Sequence, residues 1–365
     1  MDLQLLRVDA WPWLGAAVAF LGMLLFTPLV IRLAHRMDWL AYPKADRWHA
    51  RPTALMGGIA IYAAATLSLV AVQPSTVPWM VWSGASVMFF VGLIDDLREI
   101  RPAAKIVAQV VATGLLLFAG YAFGNAWPVW LSVPLTFLWV VGITNAINLL
   151  DNMDGLAAGI ACVVAAVLAV FSALIGSAEG LVLAAAVVGA TAGFLVFNFK
   201  PASIFMGDCG SLFLGFSVAA LALIIQGHAA AVGSWAAYLV PLTVLAVPIF
   251  DTTLVTLVRK LAGRPVSQGG RDHSSHRLVF LGLSERHAVL TLYGISLLAG
   301  ALALFVLFFD VRLFYALVVF MGVALGILGV HLGRANVYQS DPLGPTAAKP
   351  RVASRALRVL QALFG

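Results

Sequence analysis

Carboxylate side chains interrupt an otherwise apolar sequence of 365 residues at five places. These places are Asp95 with Asp96, Asp151 with Asp154, Asp208, Asp251 and Asp272. Carboxylate oxygens bind hard divalent cations, and adjacent carboxylates repel each other unless a cation or a shared proton lies between them. If the segments that carry these acids meet at one face of a membrane, the sequence predicts a single acidic site built from distant parts of the chain.

Asp95 and Asp96 close an apolar run and are followed by basic residues. Segment 92–105 reads GLIDDLREIRPAAK, so Arg98 and Lys105 are close in sequence. The acidic pair needs a positive partner, which Arg98, Lys105 or a metal ion can supply. Taken alone, the pair is better explained by a solvated helix end with a charged turn.

Segment 145–155, which reads NAINLLDNMDG, combines amides with acids. Asn145 and Asn148 are one helical turn apart on the same helix face, inside an apolar run where unsatisfied amides are costly. Capping of the following helix explains Asp154. It does not explain Asp151 or the two amides, so the segment is a candidate part of a binding site.

Asp208 and Asp251 have different sequence surroundings. Gly207 and Gly210 flank Asp208, and glycine lets a ligand approach the backbone closely, although a helix N-cap is the alternative. Asp251 lies inside an apolar run, about 10 Å from its end at a rise of about 1.5 Å per residue. Ionisable residues at such depth are functional candidates by default.

Segment 264–277, which reads RPVSQGGRDHSSHR, places Arg271, His273 and His276 in a long polar loop. The His-x-x-His spacing is compatible with zinc, but the segment contains no cysteine, and Arg with His suits phosphate oxygens better. Oxygen ligands together with basic groups favour Mg²⁺, with Mn²⁺ as an alternative. The reaction class that this combination favours is phosphoryl transfer.

The elements that must position these residues are membrane-spanning helices. Apolar residues make up 62% of the chain and charged residues 10%, with a mean hydropathy of +0.99, whereas about a quarter of a soluble domain is charged. Apolar runs of about 17–25 residues are long enough to cross a bilayer. Such runs begin near Trp11, Leu55, Trp79, Ile106, Val129, Leu156, Gly180, Ser211, Trp235, Ala288 and Phe314. The sequence therefore predicts an all-α polytopic membrane protein with about eleven transmembrane helices.

The basic residues predict how this bundle is oriented. Of the 22 basic residues, only Arg7 and Arg312 fall on the same side as the N-terminus. Because cytoplasmic loops collect Lys and Arg, the N-terminus is expected outside, and the C-terminus and the acidic site in the cytoplasm. Asp2 and Asp9 outweigh Arg7, which favours a permanent first span over a cleaved signal peptide.

The chain is expected to form two unequal parts. Residues 1–335 are predicted to be one transmembrane catalytic domain, and residues 336–365 a cytoplasmic tail. Arg351, Arg355 and Arg358 recur in the tail at helical spacing, which predicts an amphipathic helix on anionic lipid, a frayed tail being the alternative. The basic residues form no stripe interleaved with aromatics, so no nucleic-acid partner is expected.

The motifs resemble those of the polyprenyl-phosphate N-acetylhexosamine-1-phosphate transferase family, also called the glycosyltransferase 4 family. The resemblance extends from about residue 43 to residue 282 and rests on five ordered motifs. These are Pro43-Lys44 through His49 with Pro52 and Gly57-Gly58, Asp95-Asp96, residues 145–156, residues 205–208, and His273 with His276. The loop GRDHSSHRL is closer to the undecaprenyl-phosphate N-acetylglucosamine-1-phosphate transferase branch than to the muramoyl-pentapeptide branch. It departs from the His-x-His-His pattern of several members of the former.

The resemblance implies transfer of N-acetylglucosamine 1-phosphate from UDP-N-acetylglucosamine to undecaprenyl phosphate with release of UMP. This reaction would need Mg²⁺ and would start a lipid-linked glycan, such as lipopolysaccharide, O-antigen or cell wall, at the cytoplasmic face of the bacterial inner membrane. By motif position, Asp95 and Asp96 would be catalytic, and Asp208 and Asn148 would be metal ligands. Substrate-binding roles are implied for Lys44, Lys105, Asp151, Asn152, Asp154, Arg271, His273 and His276. Asp251 is a further candidate, and whether Asp95 acts as a base or only electrostatically stays open.

Alternatives to this reaction remain open at this stage. The donor can be UDP-linked N-acetylmuramoyl-pentapeptide or another UDP-N-acetylhexosamine. A secondary transporter or lipid flippase also has many spans and intramembrane acids, but transporters tend to place coupling residues near the midplane of repeated halves. A homodimer is compatible with the sequence, which does not determine the oligomeric state.

Overall fold

A computed structural model of the chain describes residues 11–42, 52–72, 74–227, 235–266, 270–335 and 337. Within these residues the chain forms thirteen α-helices. They are α1 (Trp11–Met37), α2 (Gly57–Val72), α3 (Trp79–Leu97), α4 (Pro102–Phe118), α5 (Val129–Leu150), α6 (Leu156–Ile175), α7 (Ala178–Asn198), α8 (Gly207–Gly227), α9 (Ala236–Val244), α10 (Ala246–Leu261), α11 (Ser274–Phe280), α12 (Glu285–Phe305) and α13 (Val311–Gly333). Strands β1 (Leu40–Ala41) and β2 (Thr53–Ala54) pair antiparallel. Lys44 and the predicted tail helix around Arg351, Arg355 and Arg358 lie outside the described residues.

Each of the eleven predicted spans coincides with a helix or a helix pair of the structure. Eight helices are long and apolar enough to cross a membrane, and α9 with α10 forms a ninth candidate that is bent by 70°. Helices α2 and α4 are shorter, at 16 and 17 residues. The prediction of an all-α, polytopic membrane protein is therefore confirmed, whereas the count of eleven spans and the sides of the two termini remain predictions.

Helix α8 lies at the centre of the bundle. Within its 18-residue apolar window, 94% of the residues are buried, and the helix contacts α2, α3, α5, α6, α7 and α9. In contrast, only Phe314 and Leu332 of α13 are buried. Because the acid Asp208 lies in the first turn of α8, the position of this acid is determined by the most tightly packed element of the fold.

Glycines let α8 approach its neighbours at the end that carries Asp208. A Cβ added at Gly92 of α3 would lie 2.4 Å from the carbonyl oxygen of Asp208. A Cβ added at Gly58 of α2 would lie 2.2 Å from the backbone nitrogen of Gly210. Both distances are far below a van der Waals contact, so only glycine permits this spacing between the three helices.

The loop before α8 is held by backbone hydrogen bonds to the segment that precedes α2. Phe205 N donates to Ala54 O at 2.8 Å, Gly57 N to Phe205 O at 2.9 Å, and Gly58 N to Met206 O at 2.8 Å. These bonds place the start of α2 against the start of α8. Residues 205–208 are therefore held by backbone hydrogen bonds to the residues that precede and begin α2.

Helices α9 and α10 are separated at Leu245, and Pro248 follows in the first turn of α10. Proline has no backbone N–H, so no helical hydrogen bond can run from residue 248 to the carbonyl of Val244. This missing bond accounts for an interruption of the helix near the observed bend. The bend directs α10 toward α5, α11 and α12, with which it makes contacts.

Candidate active site

Lys105 joins two of the predicted acids into one cluster. Its Nζ lies 2.5 Å from Asp95 Oδ2 at the end of α3 and 2.6 Å from Asp208 Oδ2 at the start of α8. Ile100 N donates to the other oxygen of Asp95 at 2.9 Å. Arg98, Lys105 and a metal ion were the expected cationic partners of Asp95 and Asp96. The structure places Lys105 between the carboxylates of Asp95 and Asp208.

Asp96 has a different environment from Asp95. Its two carboxylate oxygens accept hydrogen bonds from the backbone N–H groups of Asp208 at 2.8 Å and Cys209 at 3.0 Å. A carboxylate at a helix N-terminus satisfies orphan N–H groups and interacts favourably with the helix dipole. Gly207 adopts a φ of 74°, and a Cβ there would lie 2.5 Å from Asp96 Oδ2. Asp96 thus caps α8, a role that the sequence did not predict, and its implied catalytic role stays a prediction.

The two amides of α5 have separate partners. Asn148 Nδ2 donates to Asp208 Oδ1 at 3.1 Å and to Ser211 Oγ at 2.8 Å, which places Asn148 in the acidic cluster. Asn145 Nδ2 donates instead to Gln109 Oε1 of α4 at 3.0 Å and to the carbonyl of Val141 at 2.8 Å. Asn145 therefore belongs to a polar contact between α4 and α5 rather than to the acidic cluster.

The turn between α5 and α6 is fixed at two of its three predicted substrate-binding side chains. Asn152 donates through Nδ2 to Leu149 O at 2.7 Å, and its Oδ1 accepts from Ser275 Oγ of α11 at 2.7 Å. Asp154 Oδ2 accepts from the backbone N–H of Ala202 at 3.1 Å. The turn consequently connects the acidic cluster with the segment that carries the histidines.

Asp151 lies in this turn, outside the membrane-spanning helices, with a partly buried side chain. Burial raises the pKa of Asp151 to about 7, and repulsion from Asp208, Asp96 and Asp154 adds to this effect. Concentrated negative charge of this kind is relieved by a bound cation. The raised pKa is therefore consistent with a site that accepts a positively charged ligand.

The short helix α11, which begins directly after His273, is attached to α10 by two buried acids. Asp251 accepts from Ser274 N at 2.7 Å and Ser274 Oγ at 2.6 Å, and His273 Nδ1 lies 2.7 Å from its second oxygen. Asp272 forms a bidentate pair with Arg259, with N–O distances of 2.8 and 2.6 Å. The predicted loop residues are thereby held on α10 rather than extending freely into solvent.

The remaining predicted residues of this segment differ in exposure. Arg271 is exposed, whereas His276 is buried, with its ring 5.9 Å from that of His273. Burial lowers the pKa of His276 to about 4, and the neighbouring His273 contributes in the same direction. His276 is therefore neutral near pH 7. It supplies a polar ring and no positive charge.

Sequence reasoning missed Arg259, Ser274 and Ser275. Arg259 follows Asp251 by eight residues in the same apolar helix, and an acid and a base on one such helix are a usable signal. This signal was missed because the positive-inside rule accounts for an arginine at the cytoplasmic end of a span without a role in a site. The two serines carry no signal in the sequence, because their partners Asp251 and Asn152 are 23 and 123 residues away.

The acidic cluster offers fewer protein ligands than a complete metal coordination shell needs. Among the residues that the structure describes, no group of three or more His, Cys, Asp or Glu side chains could hold a metal ion. Asp95 and Asp208 nevertheless supply two carboxylates that share one cationic partner. Mg²⁺ usually takes only one or two carboxylates and completes its shell with water and substrate phosphates. The residues present therefore fit Mg²⁺ bound together with a phosphate substrate.

Comparison with known proteins identifies the family. Residues 78–226 match glycosyl transferase family 4. The chain is also 33% identical over 333 residues to the probable undecaprenyl-phosphate N-acetylglucosaminyl 1-phosphate transferase of Bacillus subtilis, covering 86% of this chain and 91% of that relative. The chain belongs to glycosyl transferase family 4. It is a phosphoglycosyltransferase, so family membership decides between the enzyme and transporter hypotheses in favour of the enzyme.

Two further relatives of this family 4 enzyme are named for different activities. The decaprenyl-phosphate N-acetylglucosaminephosphotransferase of Mycobacterium leprae is 32% identical over 304 residues, which cover 73% of this chain and 76% of that relative. The phospho-N-acetylmuramoyl-pentapeptide-transferase of Lacticaseibacillus paracasei is 27% identical over 323 residues, covering 78% of this chain and 95% of that relative. The matched segment 78–226 contains the acidic cluster, whereas α10 and α11 lie beyond it.

Proposed function

We propose that this family 4 enzyme transfers N-acetylglucosamine 1-phosphate from UDP-N-acetylglucosamine to undecaprenyl phosphate, with Mg²⁺ and with release of UMP. The reaction would take place at the cytoplasmic face of the bacterial inner membrane. Support comes from the relatives in Bacillus subtilis and Mycobacterium leprae, whose names specify a polyprenyl phosphate and N-acetylglucosamine. The orientation rests on the distribution of basic residues in the sequence.

The bridge from Asp95 through Lys105 to Asp208 is the observation that carries this proposal. It joins the ends of three helices and leaves the carboxylates partly accessible, with side-chain exposures of 12% for Asp95 and 29% for Asp208. An accessible cluster of two acids and one base at helix ends suits an incoming phosphate and its counter-ion.

The chemistry requires two phosphate groups to meet. An oxygen of the lipid phosphate attacks the sugar-linked phosphorus, a new P–O bond forms, and the bond to the bridging oxygen breaks so that UMP leaves. A phosphate monoester is already mostly a dianion at pH 7 because its second pKa is about 6. Catalysis then depends chiefly on positioning and charge neutralisation. Lys105 supplies a positive charge between the acids, and Asp95 holds this ammonium in place.

Asp208 and Asn148 are the residues proposed to hold Mg²⁺. The ion would supply charge neutralisation at the diphosphate. Asn148 is oriented with its amide nitrogen toward Asp208, at 3.1 Å, and rotation of this amide by a half-turn would offer its oxygen instead. Asp151, Asn152 and Asp154 are proposed to contact the nucleotide from the neighbouring turn.

The identity of the sugar is the finer part of the proposal. The relative in Lacticaseibacillus paracasei, named for phospho-N-acetylmuramoyl-pentapeptide, makes the corresponding UDP-linked donor the second candidate. Purified enzyme should be incubated with undecaprenyl phosphate and each of several radiolabelled UDP-sugars, with Mg²⁺ or with EDTA. We expect UMP release and lipid-linked label with UDP-N-acetylglucosamine, and neither in EDTA.

The same substitution at two different aspartates provides a test variant and a control for this assay. Asp95→Asn should nearly abolish turnover while the protein stays folded, because the amide no longer balances the Lys105 ammonium. Asp310→Asn should change little, since Asp310 only caps α13 by accepting from Arg312 N at 2.7 Å, and asparagine caps equally well. Turnover that persists in EDTA, or equal losses in both variants, would contradict the proposal.

A further inference from the structure

The most completely enclosed acid of the described chain is Asp251, and its side-chain hydrogen bonds all go to the segment that starts α11. Its side chain has no exposed surface, and its partners are His273 Nδ1, Ser274 N and Ser274 Oγ, all within 2.7 Å. A buried carboxylate is costly unless each oxygen is satisfied. Here both oxygens are satisfied by residues that lie 22 and 23 positions away in sequence.

A second buried pair fixes the residue directly before His273. Asp272 and Arg259 have side-chain exposures of 2% and 5%, and Arg277 Nε donates to the carbonyl of Asp272 at 2.8 Å. The backbone on one side of His273 is thus held by Asp272, and on the other side by Ser274. The imidazole ring consequently has little freedom to turn away from Asp251.

The pattern of donors determines which ring nitrogen carries hydrogen. Asp251 Oδ1 accepts both bonds from Ser274, and Oδ2 faces His273 Nδ1. An ionised carboxylate has no hydrogen to donate, so Nδ1 must be the donor in this contact. A carboxylate that accepts from one ring nitrogen fixes the tautomer and leaves the other nitrogen for a ligand.

We propose that Asp251 is a positioning residue that fixes the Nδ1 proton and ring orientation of His273, so that the lone pair of Nε2 is presented to a hydrogen-bond donor of the nucleotide sugar. What Nε2 meets rests on the proposed function. The assignment of the Nδ1 proton does not, because it follows from the contacts of Asp251 alone. This role belongs to α10 and α11, which follow residues 78–226 in the chain.

Asp251→Asn is predicted to reverse the tautomer without changing the size of the side chain. The two donors of Ser274 require an acceptor at the Oδ1 position, so the amide oxygen of the variant must stay there. Its NH₂ group then faces Nδ1 of His273, which has to accept. The hydrogen of the neutral ring moves to Nε2, and the lone pair of Nε2 is lost.

Ser274→Ala is the matched control for the docking of α11. This variant removes one hydrogen bond to Asp251 and keeps the bonds from Ser274 N and His273. It weakens the attachment of α11 but leaves the acceptor opposite Nδ1 unchanged. A purely structural role of Asp251 predicts similar behaviour of the two variants, whereas the proposed role separates them.

The test combines nitrogen NMR with kinetics. Full-length protein labelled with ¹⁵N-histidine is reconstituted in lipid nanodiscs near neutral pH, and His273→Gln identifies the resonances of His273. We expect hydrogen on Nδ1 in the wild type and in Ser274→Ala, and on Nε2 in Asp251→Asn. We expect kcat to fall at least about tenfold in Asp251→Asn with KM for the nucleotide sugar changed less than about threefold, and Ser274→Ala to stay within about threefold of the wild type.

The outcomes distinguish this inference from the proposed function. Hydrogen absent from Nδ1 in the wild type overturns the inference even if Asp251→Asn does not fold. Equal losses of kcat in Asp251→Asn and Ser274→Ala, or an unchanged tautomer in Asp251→Asn, also overturn it. Absence of sugar-phosphate transfer by the wild type with every UDP-sugar would instead refute the proposed function, and the tautomer result would still test the role of Asp251.

Discussion

Asp96 accepts a hydrogen bond from the backbone N–H of Asp208, so the second acid of α3 sets the position of the acid that begins α8. The neighbouring acid Asp95 contacts Lys105 instead. The two adjacent aspartates therefore have different roles. Asp95 contributes to the charge balance of the site, and Asp96 supports the element that carries Asp208.

This division predicts different phenotypes for two otherwise equivalent substitutions. In Asp96→Asn, one of the two capping oxygens becomes an NH₂ group that faces a backbone donor, so both thermal stability and turnover should fall. The expected loss is about 1–3 kcal/mol, the cost of an unsatisfied buried group. Thermal unfolding in detergent should show this loss in Asp96→Asn and a much smaller change in Asp95→Asn. Similar unfolding temperatures for the two variants would contradict the capping role.

Removal of the Lys105 ammonium is predicted to change metal binding. In Lys105→Gln, Asp95 and Asp208 lose the positive charge between them, so their repulsion can be relieved only by an added cation. We expect turnover to be lost, while Mg²⁺ binds at least about threefold more tightly than to the wild type. Unfolding temperature measured against Mg²⁺ concentration reports this affinity without requiring activity. Equal or weaker stabilisation of the variant by Mg²⁺ would argue against a metal at Asp208.

The pKa of Asp151 predicts a pH dependence of stability. Burial and neighbouring acids raise this pKa from its ordinary value of 3.8 to about 7 in the folded state, so the folded protein binds more protons than the unfolded chain between these values. Stability contributed by this group is therefore present at low pH and falls as pH rises toward about 7. Asp151→Asn removes this loss.

The unfolding temperature of Asp151→Asn should consequently exceed that of the wild type by an amount that grows between about pH 5 and pH 8, reaching about 2 °C or more. The measurement is made in EDTA so that no divalent cation compensates the charge. Asp310→Asn provides the reference with no comparable trend. A difference in unfolding temperature that stays constant across the pH range would show that the pKa of Asp151 is not raised in the folded state.

Close helix packing at Gly92 is predicted to be necessary for the acidic cluster. The Cβ of Gly92→Ala would lie 2.4 Å from Asp208 O, so α8 or α3 has to move and the contacts of Asp95 and Lys105 with Asp208 lengthen. Turnover should fall at least about tenfold. Gly142→Ala on α5, where no atom lies within 4 Å of the added Cβ, should be active and as stable as the wild type or more so. Full activity of Gly92→Ala would contradict the observed spacing.

The sequence predicted the membrane class and the helical segments because apolar length and composition are local properties. It also selected Asp95, Asp208, Asn148 and Asp251 as candidates, since a polar group in or beside an apolar run has few explanations. It could not predict that Asn145 pairs with Gln109 rather than joining the acidic cluster. The two amides are equivalent in sequence, and only the packing of α4 against α5 distinguishes them.

Pairings between distant side chains were decided by the tertiary structure alone. Lys105 and Asp208 are 103 residues apart, and Asn152 and Ser275 are 123 apart, so no local pattern records their contact. The sequence by itself determined which helices form and which of their ends carry charge. The structure decided which ends meet, because this depends on close approach of α3, α2 and α8 through glycines and on the bend that brings α10 to α11.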